Sequence, residues 1–162
     1  MTQNEQLISW LNSAYSMEQS LAKVLENHAR DANDHPEMRE RIEAHVIETR
    51  GHADRVAHCL EILGTKPSTM KAALGKTMGM VQGASTGMFH DELVKNVLAD
   101  YSAEHFEIAC YTSLIEAAEL AGQTEIADIC RQILNEEETM AGWLESQIAD
   151  VTRVVLQQTA AA

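Results

Sequence analysis

The sequence has few residues of the kinds that favour sheets or nucleic-acid-binding surfaces. Aromatic residues make up only 4% of the chain, and there are only 2 prolines. The apolar residues are mostly Ala, Leu, Ile, Val and Met, which suit packed helices better than sheets. Basic residues are also scarce, because 12 Lys and Arg face 25 Asp and Glu, so that the net charge is −13. Such a chain repels phosphate backbones, and we therefore expect no nucleic-acid binding through a basic patch.

Cysteines and long apolar runs are also few. Cys59, Cys110 and Cys130 do not have the spacing of a metal knuckle, and each lies among apolar residues, so we expect buried, reduced thiols. No stretch reaches the roughly 18 apolar residues that a membrane-spanning helix needs. The N-terminal MTQNEQLISW lacks the pattern of a signal peptide. The sequence therefore predicts a cytoplasmic protein without a membrane segment.

Apolar residues recur with helical periodicity in four long segments. We predict helices over residues 4–30, 36–63, 90–121 and 124–155. Gly64 and Gly122 are expected to end the second and third helices, because glycine commonly follows a helix C-terminus. A length of 162 residues suits one domain, which we place at 1–158, followed by a frayed tail at 159–162.

The lengths of the linkers predict the topology. Short turns join the first helix to the second and the third to the fourth, so each pair should form an antiparallel hairpin. About two dozen residues rich in Gly and Met, 66–89, separate the hairpins. This segment is long enough to hold a short helix over 70–81 and to cross the bundle. We therefore predict an all-α, ferritin-like four-helix bundle.

Carboxylates lie at the centre of the apolar stripes of three predicted helices. Because each residue advances about 100° around the axis, Leu11 and Leu25 fall within about 60° of Glu18. The same angular calculation places Glu104 at the centre of the apolar stripe of the third helix and Glu137 at the centre of that of the fourth. These three positions are therefore expected to face the core.

The second helix carries two histidines and a further carboxylate on one stripe. His45, Glu48 and His52 have the spacing i, i+3 and i+7. Glu48 could equally be a solvated surface residue, as could Glu107, which lies about 60° from Glu104 on the third helix. Either histidine could be a hydrogen-bonded structural residue. His28, His35, His58 and His90 lie near helix ends or off this stripe, and we assign them no role.

Several carboxylates in one apolar core need positive charge between them. A single ionised carboxylate in such a core costs several kcal/mol or takes up a proton. No Lys or Arg lies on the stripes of the first, third and fourth helices. A dinuclear metal centre between the helices is the usual solution, and oxygen donors with one or two imidazoles suit iron or manganese.

Four motifs resemble those of the YciE/YciF family of bacterial ferritin-like stress proteins, and YciE more closely within it. They are Ala14-Tyr15-Ser16-Met17-Glu18, His45-x-x-Glu48-Thr49, Glu104-His105-Phe106-Glu107-Ile108-Ala109-Cys110-Tyr111 and Leu134-Asn135-Glu136-Glu137-Glu138. The resemblance implies a rubrerythrin- or ferritin-like bundle, a homodimer and an association with stress. It also implies a metal centre with the ligands Glu18, His45, Glu48, Glu104, Glu107 and Glu137, and with His52 as an alternative ligand.

The sequence departs from the ordinary di-iron pattern at two positions. A Glu-x-x-His motif would place His at positions 51 and 140, where this chain has Gly51 and Met140. The site could therefore be all-carboxylate on one side, hold one metal, or be vestigial. We expect a metal-dependent protein that handles oxygen or peroxide. The alternatives are a non-enzymatic structural or interaction protein and an iron-storage cage of many chains.

Overall fold

The computed structural model describes residues 1–68 and 91–160 as four long helices. They are α1 (Gln3–Asp31), α2 (Pro36–Ile62), α3 (Glu92–Leu120) and α4 (Thr124–Ala160), and no strand occurs in these two ranges. α1 packs extensively on α2 and α3 on α4, whereas α1–α3 and α2–α4 contacts are sparser. Two hairpins therefore associate side by side, and the predicted all-α four-helix bundle is confirmed.

Local sequence accounts for several helix ends. Thr2 and Glu5 form a capping box at the start of α1, where the Thr2 N–H donates to Glu5 Oε2 at 2.8 Å. Asp91 caps α3 by accepting a hydrogen bond from a backbone N–H. Gly64 and Gly122 follow α2 and α3 with φ values of 73° and 72°, a left-handed conformation that glycine adopts without strain.

The predicted helix ends agree with the structure to within two residues except at the end of α4. Our prediction that α4 frays after residue 155 was wrong, because the helix continues through Leu156 to Ala160. Gln and Ala both have favourable helix propensities, which accounts for this extension. The predicted tail therefore begins inside a helix, while residues 161–162 and the predicted short helix over 70–81 lie outside the described residues.

The core consists of two apolar clusters separated by a polar layer. One cluster contains Leu7, Leu60 and Ile126, and the other contains Leu25, Ile42 and Leu144. The side chains that lie between them along the helices are polar and at most 2% exposed, namely Glu18, His45, Thr49, His52, Glu104, Glu107 and Glu137. The carboxylates expected at the core are therefore buried at one level of the bundle.

The cysteines confirm the prediction only in part. Cys59 and Cys130 are buried and free, as expected, but Cys110 is only half-buried. Cys110 lies about 120° from Glu104 around α3, at the edge of the buried face, which explains its exposure. Among the helices described, none is long and apolar enough to cross a membrane.

A buried ion pair joins the two hairpins. Nδ1 of His28 on α1 lies 2.6 Å from Oδ1 of Asp100 on α3, and both residues are buried. Burial alone would lower the pKa of His28, but the hydrogen bond and the negative charge of Asp100, with the charges of Asp31 and Glu92, together raise it. The role of His28 was missed from the sequence, because its partner lies on a distant helix.

We expect Asp100→Asn to destabilise the protein more at low pH than at high pH. Because the pKa of His28 is raised on folding, its contribution is complete below the unfolded pKa of about 6.5. That contribution is lost as pH rises through the raised folded value. The free energy of unfolding in urea should fall by about 1.5–3 kcal/mol near pH 6 and by less near pH 9. Asp54→Asn, an exposed control on α2, should change little, and equal losses at both pH values would contradict the prediction.

Candidate metal centre

Side chains from all four helices meet in the polar layer between the two apolar clusters. Glu18 comes from α1, His45 and His52 from α2, Glu104 from α3 and Glu137 from α4. Among the residues described, two sets of three have ligand atoms within 4.8 Å of one another. We call the set Glu18–His52–Glu137 the first triad and the set His45–Glu104–Glu137 the second triad. Glu137 belongs to both, so the two triads adjoin.

The two oxygens of Glu137 face different histidines. Oε1 of Glu137 lies 2.7 Å from Nδ1 of His52, and Oε2 lies 3.7 Å from Nε2 of His45. Nδ1 of His52 is also 3.5 Å from Glu18 Oε2, and Nε2 of His45 is 3.1 Å from Glu104 Oε1. The imidazole rings are 6.3 Å apart between centroids. The Glu137 carboxylate therefore lies between the two imidazoles.

The outward nitrogens of both histidines contact a second pair of carboxylates. Nδ1 of His45 lies 2.8 Å from Glu48, and Nε2 of His52 lies 2.8 Å from Glu136. The pKa of Glu48 is lowered, first by its hydrogen bond to His45. Burial would raise the pKa of Glu136, but Arg55 and His52 outweigh it and lower that pKa. Glu48, predicted as a ligand, therefore lies outside both triads, on the solvent side of His45.

Glu107 and Tyr111 on α3 complete the surroundings of the triads. Glu107 is 2% exposed but belongs to neither triad. The hydroxyl of Tyr111, which is fully buried, donates a hydrogen bond to Oε1 of Glu18. Tyr111 thereby limits the orientations of the Glu18 carboxylate.

Burial and mutual repulsion shift the pKa values in this cluster. Burial alone would lower the pKa of both histidines, but their carboxylate partners raise the pKa of His45 and of His52 to about 10. Burial raises the pKa of Glu104 to about 8 and that of Glu107 well above its ordinary value. Burial would raise the pKa of Glu137 too, but His52 and other partners lower it. Without metal, protonated histidines therefore supply positive charge among the carboxylates.

Buried polar atoms without hydrogen bonds show that the donor set suits metal ions. Within residues 1–68 and 91–160, these atoms include Oε2 of Glu18, Oε2 of Glu104, Oε1 of Glu107 and Oε2 of Glu137, while Oε1 of Glu137 has only its 2.7 Å contact with Nδ1 of His52. Each such group costs about 1–3 kcal/mol unless it is satisfied. Each triad offers one imidazole nitrogen and carboxylate oxygens, which are suitable donors for iron or manganese.

Both histidines of α2 enter the cluster, His52 in the first triad and His45 in the second, although the sequence offered His52 only as an alternative ligand to His45. The ordinary pattern takes one histidine from each of two helices. Here the α4 position is the fully buried Met140, and the corresponding α2 position is the half-exposed Gly51. His52, the residue after Gly51, instead contacts Glu137 from α2. The chain thus lacks the histidines of the ordinary pattern at positions 51 and 140 and instead has two histidines of α2 in the cluster.

Known proteins are similar to this chain in sequence and in fold. A crystal structure of a protein from Xanthomonas campestris is 34% identical, covers 99% of each chain and has a TM-score of 0.84. The Escherichia coli protein YciF is 26% identical over 136 residues, which is 80% of each chain. The crystal structure of YciF, described as a stress protein, is 23% identical, covers 94% of this chain and 98% of that one, and has a TM-score of 0.81. The di-iron bacterioferritin of Desulfovibrio desulfuricans, at 18% identity, covers 93% of this chain and 82% of that one, with a TM-score of 0.77.

These findings confirm the ferritin-like bundle and the YciE/YciF family, with YciF closer than YciE, which the sequence motifs had favoured. The family described as "Domain of unknown function (DUF892)" matches residues 2–158, nearly the whole chain. The chain is similar to YciF and belongs to the DUF892 family.

Proposed function

We propose that this protein is a stress-associated metalloprotein with a dinuclear iron or manganese centre that handles oxygen or peroxide. The observation that carries the proposal is Glu137, whose two oxygens face the inward nitrogens of two different histidines. The di-iron bacterioferritin supports the proposal by its fold, and the relation to the stress protein YciF supports the association with stress.

In this proposal the two triads are the ligand sets, and each of their residues has a defined role. Glu18 and His52 would hold one ion, His45 and Glu104 the other, and Glu137 both. Glu107 is available as a further carboxylate ligand because its Oε1 has no hydrogen bond among the described residues. A bound iron or manganese centre would supply redox chemistry toward oxygen or peroxide. The apolar clusters on either side would keep bulk water away from the centre.

Metal analysis of the purified protein tests the proposal. Protein purified without chelators and reconstituted with Fe²⁺ or Mn²⁺ should contain about two ions per chain, by analogy with di-metal bundles. Anomalous scattering from crystals should place the ions between His45, His52 and Glu137. Protein that holds neither metal after reconstitution, with Glu18→Ala giving the same result, would overturn it.

A second candidate function is that of a non-enzymatic structural or interaction protein. One observation favours it: His45 and His52 already contact the buried carboxylates of Glu104 and Glu137, and these contacts raise the pKa of both histidines to about 10, so imidazolium charge can balance the carboxylates without any metal. Under this alternative, replacing Glu107, which pairs with neither histidine, with an apolar residue should only stabilise the fold. The homodimer and the cytoplasmic location expected from the sequence stay predictions, which light scattering and cell fractionation would check. Light scattering would also detect the large assembly that iron storage requires.

A further inference from the structure

We infer that Glu48 and Glu136 are positioning residues that fix which nitrogen each histidine turns toward the metal centre. His45 would present Nε2, and His52 would present Nδ1. This inference rests on the proposed function. It also gives Glu48 a task different from the ligand role predicted for it, and it assigns a task to Glu136, which was not predicted to take part.

Glu48 and Arg41 hold His45 from the solvent side. Oε2 of Glu48 lies 2.8 Å from Nδ1 of His45, and Nη1 of Arg41 donates to the same oxygen at 3.4 Å. The Arg41 guanidinium also lies 5.9 Å from the centroid of the Trp143 ring on α4, within the range of a cation–π contact. The carboxylate that holds the ring is therefore itself held, on a side chain that is 39% exposed.

Glu136, which lies on the other hairpin and is anchored by Arg55 of α2, holds His52 in a matching way. Oε2 of Glu136 on α4 lies 2.8 Å from Nε2 of His52 on α2. Both terminal nitrogens of Arg55 donate to Glu136, and the Nη1 bond to Oε1 is 3.1 Å long. Glu136 is 37% exposed, close to the value for Glu48. Each imidazole thus has the buried carboxylates of its triad on one side. On its other side it has a half-buried carboxylate that is anchored by an arginine.

The chemistry of imidazole explains why the outer carboxylates decide the ligating atom. A neutral ring has one N–H donor and one lone pair, and a carboxylate can only accept a hydrogen bond. If Nδ1 of His45 donates to Glu48, the lone pair on Nε2 faces Glu104 and Glu137. The reverse holds for His52, whose Nε2 donates to Glu136. Such outer carboxylates orient metal-binding histidines and raise their basicity.

Glu48→Gln and Glu136→Gln test the inference, because glutamine keeps the shape of the side chain but loses the charge. Each variant should bind Mn²⁺ about 10- to 100-fold more weakly than the wild type, the usual effect of losing an outer carboxylate. Glu40→Gln on α2 and Glu138→Gln on α4 are matched controls, since both residues are exposed and their loss changes the net charge equally. The controls should bind Mn²⁺ as the wild type does.

Proton NMR of the protein loaded with Co²⁺ identifies the ligating nitrogen separately from affinity. The wild type should show two hyperfine-shifted, exchangeable ring N–H signals, from Nδ1 of His45 and Nε2 of His52. Glu48→Gln should speed solvent exchange of the His45 signal alone, and Glu136→Gln that of the His52 signal alone. Unchanged affinities and signals in both variants would overturn this inference but not the proposed function. A wild type that binds no metal would overturn both.

Discussion

Glu137→Gln is expected to abolish the binding of both metal ions, whereas Glu18→Gln and Glu104→Gln should each abolish the binding of one. Glu137 is the carboxylate common to the two triads, while Glu18 and Glu104 belong to one triad each. Gln keeps the volume of the side chain but offers one neutral oxygen in place of an ionised carboxylate. The loss of affinity at an affected position should exceed the 10- to 100-fold typical of outer-shell partners.

Equilibrium dialysis followed by elemental analysis measures this difference as a stoichiometry. The wild type and the exposed control Glu138→Gln should hold about two ions per chain, the two single-triad variants about one, and Glu137→Gln none. If Glu137→Gln held as much metal as the wild type, the carboxylate would not be shared and the two triads would not be the ligand sets. If Glu18→Gln also lost both ions, the two positions would be strongly coupled.

The four helices and the buried carboxylates could be predicted from the sequence because both depend on local spacing. Glu18, Glu104 and Glu137 lie at the centres of apolar stripes, and all three are at most 1% exposed. Helical periodicity is enough to identify such positions, since it needs no knowledge of the neighbouring helix. The same reasoning placed His45 and His52 on one stripe of α2, and both are fully buried.

The contacts between helices could not be predicted, because they depend on which faces meet. Glu136 points about 100° away from Glu137 and looks like a surface residue until α2 brings His52 and Arg55 beside it. Asp100 lies about 40° from Glu104 on α3, so its burial could have been found from the same angular argument. Its pairing with His28 on α1 required the packing of the two hairpins.

Glu107→Met is expected to stabilise the metal-free protein and to weaken the stabilisation that metal confers. The Glu107 carboxyl is 2% exposed, and its Oε1 has no hydrogen bond within the described part of the chain. Burial, together with the negative charges of Glu137, Glu18 and Glu104, raises its pKa well above the ordinary value, because ionising this carboxyl inside the bundle is unfavourable. Met fills a similar space without a polar group. The free energy of unfolding should rise by about 1–3 kcal/mol.

Glu107→Met should be more stable than the wild type without metal and less stable than it with metal. Such a reversal would distinguish a carboxylate that serves metal binding from one that serves only the fold. At a free Mn²⁺ concentration about 1,000 times the dissociation constant, the wild type should gain about 4 kcal/mol, and Glu107→Met should gain less because it has lost a carboxylate of the centre. Thermal unfolding with and without Mn²⁺ measures both effects, and Glu116→Met, exposed on the same helix, is the control.

Stabilisation of Glu107→Met in both conditions, with no metal effect on the wild type, would favour the structural alternative. If Glu107→Met is less stable than the wild type without metal and gains as much stability from metal as the wild type does, Glu107 is not part of the metal centre. Sites retained at the expense of stability are typical of function, so a reversal would show that the buried carboxylates are kept for the metal and not for the fold.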